Sequence, residues 1–240
     1  MLIKPLFKKD KEKTTTFHPT NTIRFKFNQQ TYFYKKQKSN SEDIYPEFML
    51  KILEIFGFIS GVLGVWLTMR KNIWCFPVGL INVTISLYIF SEQSLYADSL
   101  QQAVYIPLLI YGWIHWNDLE DKSQQLPITR LESKGILLIA IAISATTLLL
   151  AKTLLYFTNA QLPWLDSFAT SCAFVAQFLI ARKKIESWIL WMIVNLIYIG
   201  IYVNNGLYLY VALFSIYGIL SIYGWKSWKK ELKTGSGNAN

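Results

Sequence analysis

Seven apolar runs, each about long enough to cross a bilayer, dominate this 240-residue chain. They fall near 50–70, 73–91, 95–116, 134–157, 164–181, 186–204 and 207–228. A hydrocarbon core takes roughly 20 consecutive apolar residues as a helix. Backbone polar groups at that depth must be satisfied internally, and continuous runs of this length meet the demand as helices. A soluble domain divides its apolar residues into shorter core segments. The chain therefore reads as an all-α integral membrane protein with seven transmembrane helices, its mean hydropathy positive at +0.27 despite a polar tail.

The formal net charge of +9 could point to nucleic acid, but the placement of the charges argues against it. Beyond residue 51, the basic side chains fall at Arg70 and Lys71, at Lys122, Arg130 and Lys134, at Arg182 to Lys184, and at Lys226, Lys229, Lys230 and Lys233. Those positions are alternate helix ends, hence one side of a membrane. The opposite connections, 92–97, 158–163 and 204–206, carry no Lys or Arg, and only Lys152 lies near them. Basic connections face the cytoplasm. The pattern puts the C-terminus inside and, with seven spans, the N-terminus outside. The expected location is a membrane crossed several times, with the lipid bilayer as partner and no nucleic acid.

Residues 1–48 do not fit this plan. They are polar, carry ten Lys or Arg, and have no compact apolar core of the kind a signal peptide needs. A basic tail of that length resists translocation. Either translation starts at Met49, or the tail is a tolerated disordered extension. Residues 231–240 end in a Gly- and Asn-rich stretch that reads as a flexible tail.

The runs contain a duplication. Asn82 sits in one apolar run and is followed by Tyr111-Gly112-Trp113 and Trp116; Asn195 sits in another and is followed by Tyr223-Gly224-Trp225 and Trp228. Arg70-Lys71 precedes the first asparagine as Arg182-Lys183-Lys184 precedes the second. Keeping both motifs in register needs a one-residue gap. Residues 49–116 then form a first three-helix bundle, 117–157 a loop and connecting helix, and 158–230 a second bundle. One connecting helix returns the chain to its starting side, so the repeats are parallel, in a 3+1+3 arrangement. The tryptophans of the two YGWxxW endings read as interfacial anchors, and Gly112 and Gly224 as points of close helix approach. His115 reads as an interfacial helix end.

Polar residues inside the spans carry the functional reading. Trp188, Trp191 and Asn195 follow an i, i+3, i+7 spacing that stacks them on one helix face, and Tyr198 and Tyr202 continue it. Asp98, Gln102 and Tyr105 share a face of another span, with Gln101 beside them. An amide or carboxylate at such depth is costly and turns to the bundle interior or a cavity. Two indoles suit a flat, especially cationic, ring through stacking and cation–π attraction. Asn82, Asn195 and the glutamines suit an amide or sugar hydroxyls, and Asp98 a positive charge or a ribose diol. No second carboxylate is evident deep in the last three spans, so an ion-coupled relay has little support. The residues alone specify a small, flat, polar ligand. Cys75 and Cys172 read as small apolar core residues, and no nucleotide, zinc or catalytic motif is present. No cofactor, metal or enzyme activity is expected.

The WxxWxxxN segment Trp188 to Asn195, the Gln101-Gln102 pair and the repeated YGWxxW endings together resemble the PnuC family of vitamin transporters. The resemblance covers about 50–230. It implies a fold like a full-length SWEET protein and uptake of nicotinamide riboside by facilitated diffusion. A cytoplasmic nicotinamide riboside kinase would trap the product by its charge. It also implies that Trp188, Trp191 and Asn195 hold the nicotinamide, with Gln102 and its neighbours facing the ligand. Relatives on the same scaffold are thought to carry thiamine or riboflavin, so those substrates stay open. A membrane sensor or complex subunit is the alternative of a different class, and assembly into a homo-oligomer is left open.

Overall fold

The computed structural model describes residues 44–92, 96–117, 126–157, 162–204 and 208–237. The tail reading for residues 1–43 lies outside them. Seven helices account for nearly all of these residues: α1 Ile44–Met69, α2 Cys75–Glu92, α3 Tyr96–Asn117, α4 Ser133–Phe157, α5 Pro163–Ala181, α6 Glu186–Asn204 and α7 Tyr208–Gly237. Each covers one apolar run from the sequence. By length and composition, α1 (from Lys51), α2, α4, α5 and α6 qualify as membrane spans. α3 carries Asp98, Gln101 and Gln102 among its apolar residues, and α7 ends in a lysine-rich stretch, which lowers their mean hydropathy.

The two basic turns are built alike. α1 ends with Lys71 in the left-handed region (φ 57°), and α5 ends with Lys183 there as well (φ 47°). Lys71 N–H donates to the Thr68 carbonyl and Asn72 N–H to Leu67; 112 residues on, Lys183 donates to Ile180 and Lys184 to Leu179. This pairing closes a helix with a left-handed residue after its last turn and satisfies carbonyls that would otherwise be orphaned. Glycine usually fills that position, so two lysines there repeat an uncommon choice.

Packing follows the small residues. Ala169, Ser171, Cys172, Ala173, Ala176 and Ala181 are buried on α5. Small side chains let neighbouring backbones approach closely in a membrane. α5 accordingly packs against α3, α4 and α6, while α2 packs on α3 and α6 on α7. α1 meets α2 where Gly64 faces Val78 and Gly79, and it meets α7 where Gly61 lies under the Tyr217 hydroxyl. α4 buries only Ile143 and Ala151. Its approach is fastened to the second basic turn: Thr129 N–H donates to the Lys183 carbonyl, Ile185 N–H donates back to Thr129, and Leu131 N–H donates to the Glu186 carboxylate.

Two expectations change. Trp116 and Trp228 are 7% and 0% exposed, so they are core residues where the sequence suggested interfacial anchors; Trp113 is 41% exposed. Phe76, Trp188 and Leu67 surround them and shield both rings. The last helix also continues to Gly237, beyond the point near 230 where a flexible tail was expected. Leu232 packs against the same apolar cluster, which holds that extra turn in place.

Candidate functional site

A cavity of about 1060 Å³ lies among α1, α2, α3, α5, α6 and α7. That is at the upper end of the volume that holds a drug-sized molecule. All ten residues singled out in the sequence line it. α6 contributes Trp188, Trp191, Asn195, Tyr198 and Tyr202; α3 contributes Asp98, Gln101, Gln102 and Tyr105; α2 contributes Asn82. The helical spacing that predicts one face per element is therefore realised, and the packing turns those faces towards each other.

Their bonding separates them. Asn82 donates through Nδ2 to the Gly57 carbonyl (2.6 Å) and to Ser60 Oγ (3.2 Å), so much of its capacity goes into tying α2 to α1. Asn195 is 3% exposed and donates to Ser221 Oγ at 3.3 Å on α7. That bond uses Nδ2 and leaves Oδ1 to accept from a ligand amide. Trp188 is 1% exposed, and its Nε1 donor has no partner among the described residues. Gln101 Nε2 lies 3.5 Å from the Tyr105 hydroxyl, a weak link at best.

The end of the cavity away from the basic turns is aromatic and acidic. Tyr198 stacks on Tyr202 (5.9 Å), and Tyr202 on Tyr210 (5.1 Å), with Phe214 against both Tyr198 and Tyr202. Tyr198 donates its hydroxyl to Asp166 Oδ1 at 3.3 Å and meets Thr170 Oγ1 at the same distance. Asp166 and Glu54 join Asp98 on the wall. Asp98 thus has carboxylate company, from Glu54 on α1 and from Asp166 at the start of α5, although the sequence shows no second carboxylate deep in the last three spans. Asp166 lies in the first turn of α5, where a carboxylate reads as an ordinary helix start; nothing local shows that Tyr198 comes to it. Gln177, also on the wall, was detectable, since an amide inside an apolar run is costly wherever it occurs. Lys, Arg and His are absent from the described lining residues.

The profile of the nicotinamide mononucleotide transporter family matches residues 51–230. The chain belongs to this family. Among curated relatives, the nicotinamide riboside transporter PnuC of Escherichia coli is 27% identical over 205 residues, covering 75% of this chain and 85% of that one. The riboflavin/roseoflavin transporter RibM of Streptomyces davaonensis is 26% identical over 182 residues, covering 73% of this chain and 83% of the relative. A crystal structure of the vitamin B3 transporter PnuC superposes with a TM-score of 0.61 at 22% identity, covering 84% of this chain and 97% of that chain. At that identity the match speaks for the fold. The resemblance read from the WxxWxxxN segment and the YGWxxW endings is thereby confirmed at family level. This member of the nicotinamide mononucleotide transporter family is a multi-pass membrane transporter by kinship and by its apolar helices.

Proposed function

We propose that the chain carries nicotinamide riboside into the cell by facilitated diffusion. The observation that carries the reading is one cavity lined by Trp188, Trp191 and Asn195, by the α3 amides and, towards its other end, by Glu54, Asp98 and Asp166. Indole faces suit a pyridinium ring, and the Asn195 amide suits its carboxamide. Glu54, Asp98 and Asp166 without a described Lys, Arg or His favour a cation and oppose a phosphate group. Charge therefore supports the riboside over the mononucleotide in the family's description. The curated relatives named for nicotinamide riboside support it too.

Around that site we place a 3+1+3, SWEET-like arrangement in a bacterial inner membrane, C-terminus inside and N-terminus outside. Supporting it are the charge asymmetry of the connections and the two alike basic turns. A cytoplasmic kinase would then trap the product as a phosphate ester that this acidic cavity rejects.

A flat vitamin of another kind is the second reading, favoured by the riboflavin carrier among the relatives. Tryptophan fluorescence of the purified protein separates the two. Nicotinamide riboside should quench it saturably, and nicotinamide mononucleotide should not. A response to riboflavin or thiamine alone would keep the family and discard the substrate; equal affinity for the mononucleotide would refute the charge argument.

A further inference from the structure

The cavity stops at a floor of aromatic rings, and that floor is built twice. Phe76 and Trp188 are the last rings on the cavity wall at the end bearing the basic turns. Beneath them lie Trp116 and Trp228, outside the lining. Phe76 meets Trp116 edge-to-face (4.9 Å, 88°), and 112 residues on, Trp188 meets Trp228 the same way (5.5 Å, 89°). Trp116 and Trp228 face each other at 6.4 Å. Within each half the upper ring is pressed onto a glycine: Phe76 onto Gly112 and Trp188 onto Gly224. Those contacts have no slack.

The contacts between the halves are of another kind. Trp116, at the end of α3, donates its Nε1 hydrogen to the carbonyl of Ala181, the last residue of α5, at 3.0 Å. Trp228 on α7 donates to the carbonyl of Met69, the last residue of α1, at 3.3 Å. Each indole reaches out of its own three-helix unit to the first helix of the other. The carbonyls are equivalent, each two residues before a left-handed lysine. The lysines guard the same spot: Lys183 sits 4.3 Å over the Trp116 ring, and Lys71 pairs with Glu231 on α7.

We propose that Trp116 and Trp228 are reciprocal latches of an inner gate. Two equivalent hydrogen bonds close the cavity at the basic-turn end, and both must break for the halves to part there. Steric contacts within each half survive the motion, because Phe76 stays on Gly112 and Trp188 on Gly224. A donor bonded to a terminal helix carbonyl suits this task, since water satisfies both groups once the gate opens. The latch does not depend on the substrate; naming its side as cytoplasmic rests on the membrane orientation proposed above.

Cys75 supplies the reporter, being 4% exposed and on the cavity wall beside Phe76. In a Cys172→Ala background, the full chain is reconstituted in vesicles and labelled with a charged, membrane-impermeant maleimide from each side. Trp116→Phe and Trp228→Phe keep a ring and remove the N–H donor. Each should speed labelling from the cytoplasmic side about fivefold, the shift that one ordinary hydrogen bond gives a two-state equilibrium, and the double variant should exceed either. Trp113→Phe, with its exposed ring, should leave the rate unchanged. Lower thermal stability with an unaltered labelling rate would reduce the two indoles to packing and overturn the gate. If the double variant does not fold, the single variants decide by the same rate. Faster labelling from the outer side would keep the latch and reverse the orientation.

Discussion

Asn82 and Asn195 hold repeat-related places in the sequence, and the cavity shows what each amide does there. Asn82 spends two bonds on α1. Asn195 spends one on Ser221 and keeps its acceptor for the cavity. Asn195→Ala should therefore weaken nicotinamide riboside binding by roughly 1–3 kcal/mol, the cost of an unmet polar group, while changing the melting temperature little. Asn82→Ala should do the reverse, lowering the melting temperature more than the affinity. Fluorescence titration and thermal unfolding in detergent measure the pair; equal affinity losses would erase the distinction. Lys183 makes a second point at this scale. Burial, reinforced by Lys71 and opposed by Glu231, holds its ammonium down to about 8 from an ordinary 10.5. Between those values the unfolded chain binds the extra proton, so stability contributed at this site rises with pH across the window and is flat below it. Relative to Lys183→Met, the native protein should gain melting temperature between pH 8 and 10, and a constant difference would remove the buried charge from the account. The stripe from Trp188 to Tyr202 was legible because helical period alone sets which residues share a face. The depth of Trp116 and Trp228 was not, since a ring near a helix end reads the same whether it turns to lipid or to a neighbouring helix.

Among the elements, the glycines show where helix approach is fixed. A Cβ on Gly224 would stand 2.7 Å from three Trp188 ring carbons, and one on Gly112 would run into the Phe76 ring. Neither ring has room to retreat, each being almost fully buried. Gly112→Ala and Gly224→Ala should each cost about 1–3 kcal/mol, the usual penalty of overpacking. Gly200 on α6 has nothing within 4 Å of its Cβ position, so Gly200→Ala should be neutral or stabilising. Thermal unfolding of the three variants in one detergent would settle the contrast, and equal losses at Gly112 and Gly200 would contradict it. The sequence reading placed all seven helices because a membrane demands long apolar runs, but α1 begins six residues earlier and α7 ends nine residues later than the runs do. It foresaw close approach at Gly112 and Gly224 without naming the partner rings. It attached no special weight to α5, whose alanines and serines look unremarkable until three other helices are found against them.

For the whole molecule, the question is what drives transport. The proposed duplication draws on Asn82, Asn195 and the YGWxxW endings in the sequence, and the alike basic turns and ring pairs support it. What stayed hidden was the company of Asp98, because Glu54 and Asp166 reach the cavity only through tertiary packing. Three carboxylates give more scope for proton or sodium coupling than one, so the uniport reading rests on their placement. All three belong to α1, α3 and α5 near the starts of those spans, at the end opposite the basic turns, and Asp166 already accepts a bond from Tyr198. Carboxylates at a mouth attract a cation at either stage of the cycle; a coupling ion needs a site that changes with the state of the gate. Uniport should therefore hold: proteoliposomes given only a proton or sodium gradient should fill with nicotinamide riboside to equilibrium and no further. Asp98→Asn and Asp166→Asn should slow uptake at low substrate by weakening cation attraction, and leave the final level unchanged. Accumulation above equilibrium that vanished in either variant would make that aspartate the coupling residue and end the uniport model.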